Sequence, residues 1–487
     1  MNKLRNLSLL LIPALLLVFF TSAMAGDGKI PITTKSEKAK EYFLKGRDLS
    51  EKLRFNDARE FFRKAVQADP DFAIAWQQMS ATEPSAKEFF DDHNKAYDLK
   101  DKVSEGERLQ IEIQRAQIKG EAKTAEELGI KLAAMFPQDE RAQNLMGNLL
   151  FGQQKYQDAI AYYNKAVSIN PKFSQPYNQL GYANRFLENY LDAEKAFKQY
   201  IKLIPDDPNP YDSYAELLMK MGEFKKSIDY YEDALKLNPT FIASHLGIAT
   251  NYNFLGQHKD ARRQLKKLLE IAEDNGQRRA AHFTMAVSYA DQGDFDRAIE
   301  ELKNQLSFAE SLDDYNNMAG DFVAMGNVYL ETGDNARAME LFNKSLEYAL
   351  KSNVSDLVKD NARRLNLYNT GRAALADLDV STAKQKAAEF KKQTEAVNNP
   401  NQIKLAHELL GTIAIIEGEY QTAISELNQA NLQDPYNLYR LAVAYKGMGN
   451  DDKAGEYYDK AKNFNALNSF NQAFVRAKNG NLNTASL

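Results

Sequence analysis

The chain has 487 residues, of which 44% are apolar, and a formal charge of −5. That apolar content supports a substantial core, so disorder is not the default, and the acidic sign gives no reason to expect nucleic acid or an anionic membrane as partner. The complete lack of cysteine excludes disulfides, thiolate metal sites, cysteine nucleophiles and a lipidated N-terminal Cys.

At the N-terminus a basic start (Lys3, Arg5) leads into an apolar run from Leu7 to Phe20 and a small-x-small exit at Ala23-Met24-Ala25. This is the layout of a secretory signal peptide over residues 1–25, with cleavage after Ala25. Retention as a membrane anchor is the alternative, but the run is short and broken by Pro13. No later stretch reaches the roughly 18 uninterrupted apolar residues of a spanning helix. Residues 26–36 read as a short flexible lead.

Further along, the chain repeats. Pro171, Pro205 and Pro239 stand 34 residues apart. Counted back from each proline, the eighth position reads Gly147, Gly181, Ala215; the twentieth reads Ala159, Ala193, Ser227; the twenty-fourth reads Tyr163, Phe197, Tyr231. A fixed period of this length marks a stacked array. Each unit reads as two helices, the second stopping at Pro or Asn-Pro, which cannot continue a helix. The small residues let the two helices approach, and the aromatic is expected to fill space between neighbouring units. Only 24 Gly and 13 Pro in the whole chain argue against a turn-rich all-β fold.

These positions resemble the tetratricopeptide repeat (TPR), and the resemblance extends over most of the chain. It implies an all-α fold: a right-handed superhelical array of antiparallel helix pairs, a TPR solenoid of about 12 units with some degenerate. Residues 37–139 hold the N-terminal units, first a full one (Gly46, Ala58, Phe62, Ala65, Pro70), then degenerate ones around Trp76 and up to Pro137. Residues 140–241 are the regular units. Residues 242–403 are longer ones, marked by Ala261, Ala298 and Ala338, with a weak unit at Gly371 and Ala383. Residues 404–464 restore the pattern through Gly411, Ala423, Pro435, Gly449 and Ala454, and 465–487 form a capping helix and tail. Loops are expected at 311–317 and at Asn399-Pro400. The stretch from Val103 to Gly120 also resembles helical-repeat regions of bacterial signalling proteins, from which no catalytic activity carries over.

Chemistry is sparse. His245 and His282 occupy the fourth position of their units and read as structural, and His93, His258 and His407 fall in no catalytic motif. Asp91, Asp92 and His93 are consecutive, so on a helix they point in different directions and make a poor metal site. No HExxH, Walker loop, G-x-S-x-G elbow or calcium loop occurs. The basic run from Ala261 to Lys267, followed by Arg278 and Arg279, is the most positive region; its pairs Arg262 with Lys266 and Arg263 with Lys267 lie on a second helix, which the resemblance places on the convex solvent side. No enzyme activity, cofactor, metal or nucleic-acid partner is expected.

The resemblance further implies that first helices line a concave groove, with positions two, five, nine and twelve pointing into it. That assigns Asn144, Asn148, Asn178, Tyr182, Arg185, Asp212 and Glu216 as peptide-binding residues. Asn matches a backbone amide as donor and acceptor, Tyr adds an apolar face, and Arg takes a carboxylate. One family subtype clamps a C-terminal carboxylate with a Lys at position five, which is absent here. Toward the C-terminal half the groove positions turn apolar (Leu246, Phe283, Val287, Val323), so that part binds an apolar helix or is covered by the chain itself. The expectation is an exported, periplasmic or secreted scaffold that binds proteins or peptides. The alternatives are a small-ligand or glycan receptor using the aromatic-rich groove, and a non-catalytic accessory subunit of an envelope complex.

Overall fold

The computed structural model describes residues 28–83 and 85–482; the expected signal peptide lies outside them. Among the described residues there is no strand, and the helices follow one another as twelve pairs and a final single helix. Units 1–3 are α1 (Glu37–Glu51) with α2 (Phe55–Ala68), α3 (Ala73–Ser80) with α4 (Ala86–Asp98), and α5 (Glu105–Ile118) with α6 (Ala122–Met135). Units 4–6 are α7 (Glu140–Gly152) with α8 (Tyr156–Ile169), α9 (Gln175–Phe186) with α10 (Tyr190–Leu203), and α11 (Pro208–Lys220) with α12 (Phe224–Leu237). Units 7–9 are α13 (Ile242–Phe254) with α14 (His258–Ile271), α15 (Asn275–Asp291) with α16 (Phe295–Glu310), and α17 (Tyr315–Glu331) with α18 (Asn335–Lys351). Units 10–12 are α19 (Asp356–Ala376) with α20 (Val380–Ala396), α21 (Pro400–Ile416) with α22 (Tyr420–Leu427), and α23 (Pro435–Gly447) with α24 (Asp451–Lys462), and α25 (Phe470–Ala477) follows.

Helix starts are set by side-chain caps: the carboxylates of Asp139, Asp207, Asp274, Asp314 and Asp434 accept backbone N–H groups of the first turn. Between the two helices of units 1 and 3–12 the chain takes a left-handed residue. Gly222 (φ 80°) adopts that conformation without a Cβ penalty, whereas Leu53 and Leu378 hold the equivalent turn at φ 61° and 59°.

The packing rule behind the repeat differs from the expectation in one respect. The aromatic at position twenty-four packs first on the small residue of its own unit: a Cβ on Gly147 would stand 2.5 Å from the Tyr163 ring, and one on Gly181 2.4 Å from that of Phe197. Tyr231 also reaches into the next unit, where a Cβ on Gly247 would lie 2.2 Å from it. The closing proline has a second role besides ending a helix. Its carbonyl, six residues back, accepts from the position-four side chain in four units: Trp76 Nε1 to Pro70 (2.9 Å), Tyr177 OH to Pro171 (3.3 Å), Tyr211 OH to Pro205 (3.1 Å), and His245 Nε2 to Pro239 (2.9 Å).

Two segments leave the nearest-neighbour scheme. Residues 28–36, expected as a flexible lead, run over units 1–4 and are tied to them. Ile30 N–H donates to Asp139 (2.9 Å), Thr33 N–H to Glu107 (2.9 Å) and Thr34 Oγ1 to Asp69 (2.5 Å), while Lys29 pairs with Glu140. At the other end α25 packs against α15. The largest apolar core therefore joins Val287 and Phe322 to Tyr439 and Phe474.

The C-terminal units return along one edge of the array, the C-terminal ends of successive first helices. Lys404 donates to Gln154, Gln433 to the carbonyl of Phe186 (3.4 Å), and Asn465 to that of Lys220 (3.3 Å). Arg476 reaches Asn253 O (3.2 Å) and pairs with Asp291 (2.6 Å), and Lys478 pairs with Glu331 (2.5 Å). Three of these groups are cations meeting helix C-termini, where the backbone carries partial negative charge.

Candidate functional site

Three regions of the inner surface carry polar chemistry. The first is a cavity of about 370 Å³ in units 1–4, bordered by the 28–36 segment. Amides dominate it, with Gln77, Gln110, Gln114, Asn144 and Asn148 on the first helices and Arg141 beside them. Asn144 is buried; its Nδ2 donates to Gln175 (3.0 Å), and its Oδ1 has no partner. Asn148 accepts from Tyr163 OH (2.9 Å).

The second region, in units 5 and 6, gathers the other expected residues. Asn178 is buried with its Oδ1 unpartnered, the counterpart of Asn144 one unit earlier. Tyr182, Arg185 and Glu216 come together: Arg185 Nη1 lies 2.7 Å from Glu216, Tyr182 OH donates to the other carboxylate oxygen (2.9 Å), and the guanidinium stacks 5.1 Å from the Tyr182 ring. Arg185 Nε remains without a partner. Burial, reinforced by Glu216, holds the Tyr182 phenol well above its ordinary value. Asp212, one turn before Glu216 on α11, accepts from Ser244 Oγ on α13 (2.7 Å). Its burial pushes the carboxyl up to about 7. At the end of α11, burial and then Arg185 push Lys220 down to about 7.

The third region, which the sequence did not single out as a site, is a cavity of about 700 Å³ enclosed by α17, α19, α21 and α23 and bordered by α25. Glu408 sits in its wall, accepting from Tyr368 OH (2.5 Å), Asn437 (3.1 Å) and Arg440 (3.0 Å). Glu331 accepts from Tyr436 OH (2.8 Å) as well as from Lys478. The apolar groove positions have differing fates. Phe283 meets Phe470 of α25 edge-on at 5.2 Å and Val287 joins the same core, so there the chain covers itself; Val323 lines the cavity. The amphipathic run Phe470, Ala473, Phe474 was the signal that could have found this docking.

The histidines tie first helices to second ones. His282 contacts Glu301 and His407 contacts Glu426, each at 2.7 Å, and His245 contacts Gln264 at 2.7 Å, always 19 residues along. His93 is buried against Gln114 (2.9 Å), while Asp91 bonds Lys87 at the surface. Arg279, from the most basic region, is in a buried pair with Asp321 of α17 (2.7 Å), joined by Gln305 of α16 (2.5 Å). Among the described residues no helix is long and apolar enough to cross a membrane.

Family models described as tetratricopeptide repeat match residues 140–173, 174–207, 208–241, 277–351 and 435–466. The chain is 24% identical over 330 residues to a protein CTR9 homolog of Arabidopsis thaliana, covering 66% of this chain and 28% of that protein. It is 25% identical over 334 residues to a TPR repeat-containing protein of Methanocaldococcus jannaschii, covering 63% and 53%. A 97-residue stretch is 34% identical to the Hsp70-Hsp90 organizing protein of Triticum aestivum, covering 19% and 16%. The chain thus spans about a quarter to a half of the length of the first two relatives. Among solved structures it is similar to the APC/C hetero-tetramer Cut9-Hcn1, at 13% identity and a TM-score of 0.41, over 89% of this chain and 79% of that one. The recurring small-aromatic contacts, the helix pairs and these matched segments agree: the chain carries tetratricopeptide repeats.

Proposed function

We propose that the chain is an exported scaffold that binds protein segments in the inner groove of units 1–6. The observation that carries this reading is the pair of buried amide oxygens, on Asn144 and Asn178, left without a donor at equivalent positions of adjacent units. Buried acceptors without partners are uncommon, and a turn of each amide toward the groove would present both in register to the backbone N–H groups of an extended segment. The chain's own residues 28–34 illustrate the mode, since backbone N–H groups of Ile30 and Thr33 dock onto inner-surface carboxylates. The similarity to an Hsp70-Hsp90 organizing protein supports protein binding as the class of function. Export rests on the layout of residues 1–25.

The test is selection from a displayed random-peptide library against residues 26–487, followed by titration of the enriched peptides into wild type and into Asn144→Ala/Asn178→Ala. Peptides that lose about tenfold or more in affinity on the double variant support the groove. Enriched peptides that bind both proteins alike, or no enrichment at all, refute it. Sequencing the N-terminus of the chain recovered from envelope fractions tests export, with Gly26 as the expected first residue.

A further inference from the structure

The cavity of units 9–12 has an unbalanced polar inventory. Its three carboxylates are fully engaged: Glu408 and Glu331 as described, and Asp434 by Asn471 (2.6 Å) and the backbone N–H of Tyr436 (2.9 Å). Its donors are not. Arg372 makes one hydrogen bond, from Nη1 to Asn327 (2.9 Å), and has no carboxylate within ion-pair distance; its guanidinium rests on the Tyr368 ring at 5.3 Å. Asn369, three residues before it and thus on the same face of α19, is only 8% exposed and makes no side-chain hydrogen bond. Arg440, 5% exposed, keeps its Nε without a partner. The remaining wall is mixed: Val323, Leu330, Leu365, Leu405, Leu409 and Phe474 supply its apolar part, and Asn316, Asn361, Asn366, Ser345 and Thr412 add neutral polar groups. A volume of about 700 Å³ falls in the range of small-molecule sites.

We propose that this cavity binds a small amphipathic molecule bearing one carboxylate, its head on Arg372 and Asn369 and its apolar body between α19, α21 and α25. The argument is independent of the peptide-groove reading, because it concerns other units and other residues. A guanidinium presents two parallel N–H groups to a carboxylate, and the free Asn369 amide can add a third donor. The formal charges of Arg372, Arg440 and Lys478 match those of Glu331, Glu408 and Asp434. A single negative charge seated on Arg372, which has no carboxylate within ion-pair distance, is met by the guanidinium fork, whereas a phosphate dianion would add two charges beside three carboxylates. A hydrophobic amine fails for the complementary reason: every acid in the cavity already has its partners. The same chemistry is offered by a free carboxylic acid and by a peptide's C-terminus, and both enter the test.

Calorimetric titration of residues 26–487 would use octanoate, octylamine, octanol, N-acetyl-Leu-Leu with a free carboxylate, and the C-terminal amide of that dipeptide. Binding of octanoate or the dipeptide acid at one per chain is expected, with octylamine, octanol and the dipeptide amide at least about tenfold weaker. Whichever acid binds more tightly identifies the source. Arg372→Ala should weaken the acid about tenfold or more, and Arg372→Lys should restore part of the loss, since an ammonium keeps the charge and loses the fork. If Arg372→Ala fails to fold by circular dichroism, the acid-against-amine comparison on wild type decides. Equal binding of octylamine, absence of acid binding at millimolar concentration, or an Arg372→Ala chain that folds and binds unchanged would overturn the proposal.

Discussion

Replacing Asp212 with Asn should stabilise the array at alkaline pH and leave it nearly unchanged in acid. Asp212 lies buried on α11 with Ser244 Oγ of α13 donating to it, and Glu216, one turn along its own helix, adds like charge. Burial raises its carboxyl from the usual 3.8 to about 7, a difference of about three pH units. The folded chain therefore binds a proton that the unfolded chain has released between pH 3.8 and 7, so stability falls as pH rises through that window and is level above it. At about 1.4 kcal/mol per pH unit the loss is on the order of 4 kcal/mol by pH 8. Asn is close to isosteric, keeps an acceptor for Ser244 and cannot ionise. The difference between variant and wild type should be near zero at pH 4 and grow toward that figure at pH 8, read as a shift in the urea midpoint at each pH. A variant that is less stable than wild type at pH 8, or displaced by the same amount at both pH values, would refute the assignment of the cost to a buried charge.

Gly181→Ala should cost about 1–3 kcal/mol in urea unfolding, since its Cβ would stand 2.4 Å from a fully buried Phe197 ring that has nowhere to move. Gly152→Ala, whose Cβ meets nothing within 4 Å, should be neutral or stabilising by up to about 1 kcal/mol, and equal effects at the two glycines would sink the close-approach account. Phe474→Ala, at a site 3% exposed, should cost about 3–5 kcal/mol of the docking of α25. Hydrogen exchange should then quicken in α25 and α15 while units 1–3 keep their protection, and unchanged exchange in both helices would contradict the packing described.

The fold was legible because each unit writes its packing into its own 34 residues. Gly147 with Tyr163 and Gly181 with Phe197 are contacts between positions a fixed interval apart, so the register announces itself. The longer units 8–10 all kept the alanine of their second helices, and unit 9 also kept the Gly326–Phe342 contact, but their extra turns blurred the count without hiding it. The candidate residues were found as polar groups on one face, but their state was not. Arg185 and Glu216 lie 31 residues apart, and nothing in either unit alone says that the pair will spend their charges on each other. The pairing of Arg279 was hidden for the same reason, its partner being 42 residues on. Which remote units meet was beyond reach, although the apolar groove positions announced a covering. A period specifies what touches the next copy; it carries no information on which copies meet after the array has curved, so the lead over units 1–4 and the seat of α25 on α15 came only from the structure.

That return alters how the molecule responds to damage. An open row of repeats comes apart piecemeal, each copy answering only to its two neighbours, and its ends fray first. Here Lys404, Gln433 and Asn465 fasten units 11 and 12 to units 4–6, across separations of 250, 247 and 245 residues. The row becomes a loop with a clasp. Loss of any middle copy removes the seat of the last ones, and loss of the last ones uncovers the middle, so melting is shared between distant parts of the chain. The same clasp slows assembly, because it can close only after every copy between its two halves is in place. A truncation at the C-terminus, harmless in an open row, would here be felt some 200 residues upstream.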